Sequence, residues 1–187
     1  GGEIRGKKAG SFGDIAATSF FPAKPLGCYG DGGAVLTNND HYAELLKSLR
    51  VHGKGVDKYD NIRIGMNSRL DTIQAAILIE KLAEFPEELH ARNIHAEKYS
   101  EVYSGLFETP EVPEGYKSSW AQYTLKADNR DIAISGFTAK GIPTAIYYKN
   151  CLHQQIAFEY LNYTDADLPV ASTLAKQVFS LPMHAYL

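Results

Sequence analysis

The chain has 187 residues, 44% hydrophobic and 22% charged, with 19 basic and 22 acidic side chains and a formal net charge of -3. That balance excludes an intrinsically disordered chain, and without a basic stripe it speaks against nucleic-acid binding. No apolar run approaches the roughly 20 residues that span a bilayer, so no membrane segment is expected.

This length suits one large domain, or a domain and a half. The first residues, Gly1 to Lys8, lack the apolar core of a signal peptide. With no initiating Met, they read as the middle of a longer chain. Cys28 and Cys151 stand far apart, in no metal-ligand spacing, and read as free thiols of a reducing cytosol.

Residues 11–21 form an extended run rich in Ser, Thr and Phe, ending at Phe20-Phe21-Pro22-Ala23-Lys24-Pro25-Leu26-Gly27. Pro22 and Pro25 flank Lys24 and restrict the backbone on both sides of it. A glycine-rich turn, Gly27 to Gly33, leads into a short strand at Ala34–Thr37. Residues 41–51 carry Leu45, Leu46 and Leu49 at helical spacing, with Gly53 as the stop. Residues 52–66 are polar and glycine-punctuated, an exposed loop. Asn67-Ser68-Arg69-Leu70-Asp71 opens a strong helix, with Asn67 or Ser68 as cap and Asp71 as the acidic member of a capping box. Pro86 is expected to break that helix and restart it over 87–105. Beyond residue 107 the expectation is a strand at 120–125, a helix at 129–140, a strand at 142–148 and a helix at 170–177. This alternation gives an α/β chain, with one domain over residues 1–86 and a smaller α/β domain over 87–187.

Lys24 admits two accounts. It is an exposed loop, rim or anion-contact lysine, or it is an amine held at a pocket edge for imine chemistry, where desolvation makes a lysine nucleophilic. Ser19, five residues upstream, offers a hydroxyl to an anion near that amine, or is a satisfied strand serine. The glycine-rich loop matches neither the dinucleotide nor the P-loop pattern. Arg69 at a helix start is disfavoured by the dipole and is better explained by an anionic partner such as a carboxylate or phosphate. His90 and His95 lack metal-ligand spacing, and His153 and His184 lie beside strand ends.

Together these segments resemble the DegT/DnrJ/EryC1/StrS family of pyridoxal-phosphate-dependent sugar aminotransferases. The lysine segment Thr18 to Gly27 carries the likeness, with Arg50-Val51-His52-Gly53, the run Asn67 to Ala76, Gly141-Ile142-Pro143-Thr144 and Leu181-Pro182-Met183-His184 in the same order. The resemblance implies the aspartate aminotransferase fold (fold type I), here as the C-terminal part of a large cofactor-binding domain and most of the small one. It implies that Lys24 attaches pyridoxal 5'-phosphate and shuttles the proton, that Ser19 binds the cofactor phosphate, and that Asn67 reaches the phosphate of the neighbouring subunit's cofactor. Arg69, His184 and Tyr186 would contact the sugar nucleotide. Family members that use the cofactor for dehydration carry His at the position of Lys24, so the lysine implies transamination.

The form of the lysine segment and the Leu-Pro-Met-His ending are most similar to enzymes that aminate C3 of UDP-2-acetamido-2-deoxy-3-oxo-glucuronic acid. That implies amino transfer from glutamate to a UDP-linked keto sugar for surface polysaccharide (lipopolysaccharide O-antigen) biosynthesis, by a cytoplasmic homodimer with shared active sites. A non-catalytic sugar-nucleotide-binding or assembly subunit of the same fold is the competing expectation. One segment departs from the family pattern: Tyr148-Lys149-Asn150-Cys151-Leu152-His153 lacks the two prolines that many relatives carry there. The resemblance also implies that this chain is about the second half of such an enzyme.

Overall fold

A computed structural model describes residues 1–187, which fall into two compact units. Residues 1–90 and 112–119 make the first, and residues 91–111 and 120–187 the second.

The first unit begins with β1 (Glu3–Ile4) and β2 (Lys7–Lys8), an antiparallel pair joined on the other edge of β1 by a strand from later in the chain, Tyr116–Lys117. Glu3 lies between Lys8 and Lys117, which hold its carboxylate below the usual carboxylate range, chiefly through the Lys8 hydrogen bond. β3 (Ala16–Ser19) and β4 (Gly33–Leu36) form a second antiparallel pair, with Ser19 opposite Gly33 and Ala16 opposite Leu36. α1 (Asp40–Leu49) starts at Asn39, whose side chain accepts from the Tyr42 N–H, a cap worth about 1 kcal/mol.

The loop after α1 folds back on itself at its base. The Met66 N–H donates to Leu49 O (2.8 Å), His52 N–H to Met66 O (2.9 Å) and Ser68 N–H to Arg50 O (2.9 Å). Gly53 has φ +72°, and a Cβ there would stand 1.8 Å from the Arg63 carbonyl oxygen, so this crossing admits glycine alone. The tip is bare to solvent at Val56, Tyr59 and Ile64.

α2 runs Thr72–Tyr103 without interruption, contrary to the expected break at Pro86. Proline removes one donor and crowds the carbonyl four residues back, at about 3 kcal/mol in a helix interior. Ala83, Glu84, Phe85, Glu87, Glu88 and Leu89 around it are helix-compatible, and a helix of 32 residues tolerates one missing bond. The start also differs from expectation. The first helical residue is Thr72, and the Asp71 carbonyl accepts from the Ala75 N–H (3.0 Å), so Asn67 to Leu70 precede the helix instead of forming its first turn.

In the second unit, β5 being the Tyr116–Lys117 strand above, β6 (Tyr123–Lys126) pairs antiparallel with β7 (Val178–Leu181). α3 (Arg130–Ala139) and α4 (Pro169–Gln177) lie between them in sequence, α3 capped by Asn129 through the Ile132 N–H and α4 opened by Pro169. Tyr123, Leu125, Phe179 and Leu181 are buried with Ala96, Ala127 and Phe137, and Tyr103 and Phe107 pack their rings around Phe137. Phe107 meets Phe179 edge to face at 5.6 Å, a favoured aromatic arrangement. The expected strand at 142–148 reduces to one bridge, in which Ala145 and Ser180 exchange both backbone hydrogen bonds. Pro143 has no N–H to extend that ladder.

Candidate active site

The lysine segment is the link between β3 and β4. The Lys24 N–H donates to Phe21 O (2.8 Å), closing a β-turn with Pro22 at its second position, where proline's fixed φ is already correct. Gly27 then passes so close that a Cβ would lie 2.7 Å from the Phe21 and Pro22 carbonyl oxygens. Cys28, 1% exposed, fills the centre of the loop, and its thiol lies 3.0 Å from both Phe20 O and Gly30 O. Backbone bonds from Cys28 N–H to Phe20 O and from Phe20 N–H to Gly32 O complete a rigid base. Lys24 projects from this base, exposed, and makes no ion pair. Cys28 is therefore a packing residue, as its sequence context without an activating base suggests.

Ser19 ends β3. Its hydroxyl oxygen accepts from the Phe21 N–H (3.2 Å), which leaves the hydroxyl proton free to donate to an anion. Asn67 is tied by its backbone bridge to Val51, at the base of the loop after α1, and its side chain is exposed. Arg69 is exposed too and stands three residues before the first helical residue, so the dipole argument for an anionic partner loses its footing there. Asn67 and Arg69 line one open concavity of about 1330 Å³, with Thr18, Gly33 and Asp31 on its other walls. Ser19 and Lys24 do not line it, although Thr18 and Gly33 are the neighbours of Ser19 along and across the strands.

Sequence reasoning passed over Gln74. Its Oε1 accepts from the Tyr29 N–H (2.7 Å), attaching the glycine-rich loop to the first turn of α2. Gln74 lies inside the Asn67–Ala76 motif, but local pattern gives a helical glutamine no partner 45 residues away.

His184 and Tyr186 belong to the second unit. They sit just after β7, where the Tyr186 N–H donates to His184 Nδ1 (3.1 Å) and both side chains are exposed. The segment is held by α2: the Arg92 guanidinium donates to Met183 O and Trp120 O (3.0 Å each), and the Tyr99 hydroxyl donates to Pro182 O (3.1 Å). Burial pushes the Tyr99 and Tyr123 phenols up from their ordinary values, so both stay protonated throughout the physiological range.

The sequence profile described as the DegT/DnrJ/EryC1/StrS aminotransferase family matches residues 1–187. The chain is 44% identical, over all of its length and 51% of the relative's, to a UDP-2-acetamido-2-deoxy-3-oxo-D-glucuronate aminotransferase of Pseudomonas aeruginosa. A crystal structure of a DegT/DnrJ/EryC1/StrS aminotransferase from Brucella abortus matches with TM-score 0.94 and 49% identity, over the whole chain and 50% of that structure. DesV of S. venezuelae, solved in complex with a ketimine intermediate, matches with TM-score 0.94 and 36% identity, over 100% and 50% of the two chains. The chain thus spans about half the length of the relatives it matches. Its fold is the fold type I architecture expected from the resemblance. Over every residue from Gly1 to Leu187, this chain belongs to the DegT/DnrJ/EryC1/StrS aminotransferase family.

Proposed function

We propose that the protein is a pyridoxal-phosphate-dependent aminotransferase that moves an amino group from glutamate to C3 of a UDP-linked keto sugar. The carrying observation is the Pro22 turn, which presents an unpaired lysine amine a short distance in sequence from Ser19, whose hydroxyl proton is free. An amine and hydroxyl of this kind fit an aldehyde cofactor bearing a phosphate, and Asn67 adds a further exposed amide. The name of the Pseudomonas relative supports the UDP-3-keto substrate class, and the bound state of DesV supports the cofactor chemistry.

When bound, pyridoxal phosphate supplies the electron sink, and the protein supplies position and proton transfer. Lys24 would hold the cofactor aldehyde, and its amine would carry the proton at the reacting carbon. Ser19 would donate to the phosphate, and Asn67 would reach the phosphate held by the neighbouring subunit of a homodimer. Arg69 takes the anionic part of the sugar nucleotide, with His184 and Tyr186 near the sugar. The domain boundary of this reading falls at residue 86, and its product feeds surface polysaccharide synthesis in the cytoplasm. The test is a product assay of the intact protein with glutamate and a panel of nucleotide keto sugars. Amination of the UDP-linked 3-keto sugar is expected. Turnover with 2-oxo acids alone, indifferent to any keto sugar, would refute the substrate assignment.

A further inference from the structure

We infer that Gln74 is a positioning residue for Lys24, fixing the lysine-bearing loop to the first turn of α2; the inference rests on the reading of Lys24 proposed above. The loop is internally braced: Cys28 fills it, and Phe20 bonds to both of its sides. Bracing sets its shape but not its place. The loop hangs from β3 and β4, a two-stranded ladder that is exposed at most of its residues. Two strands alone are a weak anchor. Gln74 supplies a long-range tie, accepting from the Tyr29 N–H at 2.7 Å across 45 residues of sequence. A Cβ at Gly30 would stand 3.3 Å from Gln74 Nε2, so the amide lies close against the loop backbone. The Lys81 ammonium over the Tyr29 ring, at 5.8 Å, adds a second and weaker contact from the same helix.

The tie couples the lysine loop to the segment of Asn67, which the reading above gives to the neighbouring subunit's cofactor. Gln74 sits in the turn that follows directly on Asn67 and Arg69, so one amide sets the register between the lysine loop and that segment. The acceptor is what matters. Glutamate in place of glutamine keeps an oxygen for the Tyr29 N–H, whereas methionine of similar length leaves that N–H without a partner. Reaction rates fall steeply when a reacting group is displaced by about 1 Å, by up to roughly 100-fold.

The experiment adds pyridoxal phosphate to the intact protein freed of cofactor and follows two readouts. One is the rate at which the near-visible absorption band of the lysine-bound cofactor appears, and the other is hydrogen exchange at the Tyr29 amide. Gln74→Met is expected to slow the band about tenfold or more and to speed exchange at Tyr29, while Gln74→Glu restores both. If Gln74→Met does not fold, Gln74→Asn, one methylene shorter, takes its place against Gln74→Glu. A wild-type rate in Gln74→Met, or a Gln74→Glu protein as slow as Gln74→Met, overturns the inference. Lys24→Ala separates the two failures. A band lost in Lys24→Ala but formed at the normal rate in Gln74→Met removes Gln74 alone; a band that survives Lys24→Ala removes the lysine assignment, and the inference with it.

Discussion

At the scale of single residues, the site is made by conformations that few side chains allow. Pro22 sets the turn that presents Lys24, and Gly27 is the residue that lets the chain pass over it. Lys24→Ala is expected to lower amino transfer by roughly 10³-fold or more, measured with glutamate and the keto sugar, while the melting temperature barely changes because the side chain is exposed. Gly53→Ala should act in the opposite way. It places a Cβ on the Arg63 carbonyl at a positive φ, with an expected cost of about 2 kcal/mol or more in denaturant unfolding. Much of this was legible in the sequence, since prolines and glycines around one lysine are local signals. Gln74 was not, because its partner is distant in sequence, and the dipole reading of Arg69 failed because the helix starts at Thr72.

Asp165 gives the residue scale its pH dependence. His153, with Gln154 and Ser172, hydrogen-bonds the carboxylate, and Lys176 lies 3.5 Å from its other oxygen, lowering it from 3.8 to about 2. A carboxylate lowered on folding contributes stability above its unfolded value, and that contribution is lost as pH falls through about 2. These contacts fasten the residues around His153 to α4, which carries Ser172. The protection factor of the Gln154 amide, taken against the intrinsic exchange rate at each pH, should therefore hold down to about pH 4 and fall as pH drops toward about 2. In Asp165→Asn the same amide should show a low protection factor throughout that range.

At the scale of elements, α1, α3 and α4 were readable because caps, apolar spacing and a helix-opening proline are encoded nearby. The two-residue strands β1, β2 and β5 were not, since each exists only through pairing with distant backbone. The unbroken α2 is the clearest case of cooperativity overriding a local signal. Pro86→Ala should restore one helical hydrogen bond and raise stability by about 1–3 kcal/mol, read as a higher melting temperature. A lower melting temperature would show that Pro86 is accommodated by packing that alanine loses.

At the scale of the whole molecule, burial is uneven. The continuous core of aromatic and aliphatic side chains lies in the second unit, while the first exposes Phe21, Val35, Ile73, Ile79 and Leu82. No helix is long and apolar enough to cross a membrane. The proposed homodimer with shared sites makes a sharp demand on this scale. Asn67→Ala should weaken cofactor binding by roughly 10- to 100-fold, the value of a hydrogen bond to a charged phosphate. At a pyridoxal phosphate concentration that leaves Asn67→Ala unloaded, mixing it with Lys24→Ala protein should then recover about a quarter of the sites, because each mixed dimer rebuilds one of its two. No recovery, with exchange of subunits verified, would place Asn67 on the same subunit's site or on none.

Peptide mapping identifies the cofactor lysine, proposed above as Lys24. The intact protein is loaded with one equivalent of pyridoxal phosphate, reduced with borohydride and digested, and the modified peptide is located by mass spectrometry. The phosphopyridoxyl group is expected on Lys24, between Pro22 and Pro25. Modification at another lysine, or an even spread over many, would contradict it.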